Sequence, residues 1–97
     1  MVTKLVVKTE FEMETKQRTY SFAKVIVDTI LQNLKSKRQH IHVFAIEVLD
    51  EEEIYDVTLH RENFLETLID LLPIYEQEED YLGCIEIQNA IKQIQHP

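Results

Sequence analysis

Residues 20–36 constrain the fold of this chain more than any other segment. They read as one helix whose polar positions, Lys24, Asp28, Gln32 and Lys35, form a single narrow stripe at helical spacing. Nearly everything else on it is apolar: Phe22, Ala23, Val25, Ile26, Val27, Ile30, Leu31 and Leu34. Such a helix needs cover on more than one side. In a single domain of 97 residues that cover comes either from wedging between a sheet and other helices or from a second copy. The pattern therefore points to a homo-oligomer. Thr19 or Ser21 is the expected N-cap.

The segments on either side differ in period. Residues 2–14 alternate, with Leu5, Val7, Thr9, Phe11 and Met13 on one face and charged residues on the other, as in a half-buried strand. Thr15 to Arg18 is a polar connection. Residues 41–49 are apolar on both faces, as in a central strand. Residues 54–60 place Tyr55, Val57 and Leu59 on one face, and the short link between these two strands predicts an antiparallel hairpin. From about residue 61 the period is helical to the end. Phe64, Leu65, Leu68, Ile69, Leu71, Leu72 and Tyr75 line one helix, with Asn63 and Glu66 as its capping box. Pro73 should kink or break that helix. Asp80 caps a last helix over 80–95, in which Tyr81, Cys84, Ile87, Ile91 and Ile94 fall at helical spacing. The order is β-α-β-β-α-α. The class is α+β: a small three-stranded sheet with packed helices and a C-terminal helical hairpin. Residues 1–60 form the β-α-β-β part and residues 61–97 the hairpin of one domain.

Charge is divided along the chain. Residues 1–49 hold eight Lys/Arg and five Asp/Glu, a net of +3, and residues 50–97 hold two against thirteen, a net of −11. An acidic half on a small domain favours a partner selected in part by electrostatics. Two carboxylate clusters carry it: Asp50, Glu51, Glu52 and Glu53, then Glu76, Glu78, Glu79 and Asp80. These are the expected partner-binding surface. Lys35, Lys37, Arg38 and His40 form a compact basic patch, which also complements the C-terminal end of the first helix. The net charge of −8 argues against direct nucleic-acid binding.

Several chemistries find no support. Gly83 is the one glycine, so neither a phosphate-cradling loop nor a calcium loop is present. Cys84 is the one cysteine, which rules out an internal disulfide and fits a reducing, cytoplasmic setting. No apolar stretch approaches the roughly 20 residues of a membrane span. Glu47 is the one acid inside an apolar run, where burial would raise its pKa. His40 and His42 would share a strand face and could supply two ligands to one metal, with His60 or an acid as the third. Cys84 and the four tyrosines read as core or core-edge residues. No catalytic set, metal site or cofactor is expected.

The segment Glu79-Asp80-Tyr81-Leu82-Gly83-Cys84-Ile85-Glu86-Ile87-Gln88-Asn89-Ala90-Ile91 resembles the UVR motif, the helical hairpin of UvrB/UvrC-type nucleotide-excision-repair proteins. Tyr81 stands at its aromatic position, Cys84 and Ile85 at its small-residue pair, and Ile87 and Ile91 at its aliphatic positions. Gln88 and Asn89 replace the Arg-Asp pair that is most diagnostic of the motif. The resemblance covers about a third of the chain and implies a hairpin used for protein contact.

The sequence thus describes a small acidic protein-interaction module, an adaptor, regulator or inhibitor of the kind that phages encode, with no enzyme activity. The alternatives are an acidic nucleic-acid mimic that blocks a DNA- or RNA-binding protein, and a small metal-binding protein.

Overall fold

The computed structural model describes residues 3–7 and 20–96. It is an α+β fold. Strand β1 spans Thr3–Val7, helix α1 Tyr20–Gln32, strand β2 His40–Val48 and strand β3 Glu53–His60. Helix α2 spans Phe64–Gln77 and helix α3 Tyr81–Gln95. Single 3-10 turns, Leu49–Glu51 and Arg61–Asn63, precede β3 and α2. The rest of the strand expected over 2–14, the polar connection after it and the candidate cap Thr19 lie outside the described residues.

The sheet order is β1-β2-β3, with β1 parallel and β3 antiparallel to β2. A register shift between His42 and Phe44 marks a bulge in β2. The β2 side chains Phe44, Ile46 and Val48 are 1%, 0% and 0% exposed, so the middle strand is the floor of the core.

Helix α1 lies between two apolar clusters, which explains its girth. Phe22 packs with Val43, Phe44, Ile46 and Val48 of the sheet, and its ring meets Phe44 edge-on at 5.2 Å. Ala23, Val27 and Ile30 join Phe64, Leu68, Tyr75, Cys84 and Ile87 of the hairpin. The chain covers α1 from both sides by itself, so the packing reason for a second copy disappears.

Three boundary expectations are corrected. Helix α1 ends at Gln32, not Ser36, and Ser21 lies inside it. The carbonyls of Asn33 and Leu34 are taken by the Arg61 guanidinium, so no continuing helical amide is needed there. Asn63 does not cap α2 through its side chain, because the turn Arg61–Asn63 leads directly into the helix. Pro73 does not break α2, which runs through it to Gln77. Pro73 and Ile69, four residues before it, are both exposed, so water can serve the carbonyl that loses its donor.

The glycine shortage shows in the turns. Glu52 and Glu79 adopt left-handed backbone conformations, with φ of 54° and 58°. A side chain with a Cβ pays about 1–2 kcal/mol there, and glycine or asparagine is the usual occupant. Both strained residues sit in the two acidic turns.

Candidate functional site

Contacts along α1 fix which turns share an end of the molecule. At its N-terminus, the Tyr20 hydroxyl donates to Asp80 Oδ2 at 2.5 Å, which places the α2–α3 turn beside the start of α1. At its C-terminus, Arg61 Nη2 and Nη1 donate to the carbonyls of Asn33 (2.8 Å) and Leu34 (3.4 Å). Arg61 Nε donates to the carbonyl of Arg38 at 2.7 Å, so the β3–α2 junction lies at that end. Strand β2 starts beside Arg61, whose amide donates to the Gln39 carbonyl at 2.8 Å. It then runs back past Phe22 toward Val48, antiparallel to α1. The β2–β3 turn therefore lies toward the same end as the α2–α3 turn.

The two carboxylate clusters and the basic patch fall at opposite ends, while Glu62 and Glu66 stand at the basic end. Asp50, Glu51, Glu52 and Glu53 are exposed at one end, as are Glu76, Glu78 and Glu79. Lys35, Lys37, Arg38 and His40 are exposed at the other. Asp80 departs from its cluster. It is half-buried, its Oδ1 accepts the Gly83 amide at 2.9 Å, and its Oδ2 accepts the Tyr20 hydroxyl. It thus caps α3 as its position predicted and ties that cap to α1.

Apolar side chains stand beside both acidic turns. Tyr81, Leu82 and Ile85, within the first two turns of α3, are 67%, 69% and 52% exposed. Leu49, Ile54 and Tyr55 flank the other turn and are also exposed, and the Tyr55 hydroxyl donates to Glu51 Oε2 at 2.8 Å. The four tyrosines therefore differ: Tyr75 is core, Tyr20 half-buried, and Tyr55 and Tyr81 surface. Periodicity singled out Tyr81 as a core-edge residue but gave no signal for Leu82 and Ile85.

The Tyr20–Asp80 contact couples two titrations. The hydrogen bond to Asp80 is the main cause that raises the Tyr20 phenol to about 12, and the same bond, helped by the Gly83 amide, lowers the Asp80 carboxyl. A lowered carboxyl contributes stability above its ordinary pKa and loses it as pH falls through the lowered value. A raised phenol contributes below pH about 10 and loses it as pH rises through about 12. Tyr20→Phe should narrow the loss of melting temperature between neutral and acid pH. An unchanged acid limb would remove this contact from the account.

Gly83 is required by packing. A Cβ there would stand 2.5 Å from Tyr75 Cδ2 and 2.7 Å from Asp80 Oδ2. The Tyr75 ring is also held edge-on by Tyr20 at 5.3 Å. Alanine gains up to about 1 kcal/mol of helix propensity, against about 1–3 kcal/mol for overpacking. Gly83→Ala should lower the melting temperature by several degrees, about 4–8 °C per net kcal/mol. A higher melting temperature would show that the ring can move aside.

The remaining candidates are quieter. Cys84 is buried on α3, and burial pushes its thiol up, so it is an inert core residue. Glu47 is half-buried. His42 Nε2 lies 3.1 Å from Asp56 Oδ1, and the rings of His40 and His60 meet edge-on at 4.5 Å across the strand pair. Among the described residues no three His, Cys, Asp or Glu are placed to hold a metal ion. No helix among them is long and apolar enough to cross a membrane.

Fold and site together define a small α+β domain with an acidic, partly apolar end. No protein-family model matches the chain, and neither a curated protein nor a solved structure is detectably similar to it.

Proposed function

We propose that this chain is a small acidic protein-interaction module, an adaptor, regulator or inhibitor that works by binding another protein. It catalyses no reaction of its own. One observation carries the reading: two acidic turns, distant in sequence, come to one end of the fold and each is flanked by exposed apolar residues. Apolar residues grouped on a surface and rimmed by charge are the usual composition of a binding face. The left-handed Glu52 and Glu79 support it, since both turns keep an acid where a cheaper residue is available. The resemblance of residues 79–91 to the UVR hairpin also points to protein contact.

The partner surface is basic. Collected carboxylates also favour a second reading, a mimic of the nucleic-acid phosphate array that occupies a DNA- or RNA-binding protein. Tyr81, Leu82 and Ile85 favour the first, because a phosphate mimic gains nothing from exposed aliphatic residues. The test is capture by immobilised protein from a nuclease-treated lysate, washed at low and at high salt. The module reading expects one basic partner, released in large part by salt. A partner whose own ligand is DNA or RNA moves the choice to the mimic, and retention of no protein at low salt overturns both.

A further inference from the structure

We propose that the cavity between α1 and α3 takes the cationic head of an arginine or lysine side chain supplied by the basic partner. The inference rests on the acidic end being the binding surface. The cavity measures about 220 Å³, below the roughly 300–1,000 Å³ of pockets for drug-sized ligands, and suits a single side chain. Lys24 and Asp28 line it from α1, and Leu82, Gly83 and Glu86 from α3. Leu82 is also one of the exposed apolar residues, so the cavity continues into the proposed binding face.

The choice of a cation follows from the unused groups. Asp80, at the cavity's edge, is already bonded to Tyr20 and Gly83. Asp28 and Glu86, on opposite walls, make no hydrogen bond or ion pair with a described residue. Three carboxylates face one ammonium, Lys24, whose Nζ lies 5.8 Å from the Tyr20 ring centre. An anionic ligand is thereby disfavoured.

Tyr75 supplies an independent sign of a ligand. It is 2% exposed and lines the cavity, yet its hydroxyl bonds to no described residue. No side-chain oxygen among the described residues is both fully buried and unbonded, so this hydroxyl is not sealed off, and the cavity is an open space that Tyr75 lines. A tyrosine in the lining with carboxylates on both walls matches the several donors of a guanidinium or ammonium group.

Gly83 lets the cavity be read without the partner. It is the one glycine in the chain, and its backbone amide gives a distinctive nuclear magnetic resonance signal at the cavity wall. N-acetyl-arginine methylamide should move that signal in a saturable way, and the neutral citrulline analogue should not. The double variant Asp28→Asn/Glu86→Gln should weaken the arginine titration at least about fivefold at low salt, the order expected for two partly screened contacts. Its melting temperature reports that the fold is kept. Equal response to citrulline, no response to arginine, or an unchanged titration in the double variant would each overturn the inference. Partner capture separates the two proposals. A double variant that captures the partner as tightly as the parent removes the cavity inference and leaves the acidic-end reading intact.

Discussion

Arg61→Ala should cost about 3 kcal/mol of stability, the largest loss expected from any residue outside the apolar core. The guanidinium donates to the carbonyls of Asn33, Leu34 and Arg38, and stacks 5.0 Å over the Phe64 ring. Two of those carbonyls follow the last turn of α1, where a cation also offsets the helix dipole. Hydrogen bonds from a charged donor are worth about 1.5–3 kcal/mol, and those on half-buried carbonyls leave acceptors stranded when the donor goes. For a domain of this size the loss corresponds to a melting temperature lower by about 12–24 °C. Arg61→Lys should recover less than half, since one ammonium cannot reach three carbonyls in a fork. A shift below about 3 °C for Arg61→Ala, measured by thermal unfolding, would mean that the turn holds without it.

Arg61 also shows which features the sequence carried and which it did not. Asp80 was legible as a cap because its partner, the Gly83 amide, is three residues away. The hairpin of α2 and α3 was legible from its 3.6 period, and the girth of α1 asked for cover on two sides, which the sheet and the hairpin provide. Arg61 was not legible. Its acceptors lie 23 to 28 residues upstream, and backbone carbonyls leave no residue-type signal. The Tyr20–Asp80 contact spans 60 residues and gave no local sign either. For the candidate site, composition revealed the acidic residues but not that both turns face one way. That depends on α1 running antiparallel to β2, a property of topology. The exposure of Leu82 and Ile85 was hidden because they lie just off a buried stripe of Cys84 and Ile87 on the same helix.

Removing the left-handed glutamates should separate stability from binding. Glu52→Gly and Glu79→Gly each relieve a positive φ, of 54° and 58°. Each gains about 1 kcal/mol less a few tenths for the added freedom of the unfolded chain. The double variant should therefore melt a few degrees higher than the parent. If the acidic end is the binding surface, the same variant should capture the partner less well, because one carboxylate is lost from each turn. Replacing Glu51, Glu52 and Glu53 together with glutamine should weaken capture by about tenfold at low salt, since rim charges act mainly on encounter and each contributes a fraction of a kcal/mol to 1 kcal/mol. The difference from the parent should shrink at high salt, where the screening length falls to a few ångströms. A variant that becomes more stable and binds as well as before would break the link between strain and function. The two glutamates would then be only costly turn residues in a chain with little glycine. A variant that gains stability and loses binding would show that the strain is kept for the acidic surface, the trade-off expected where function holds a residue against its conformational preference.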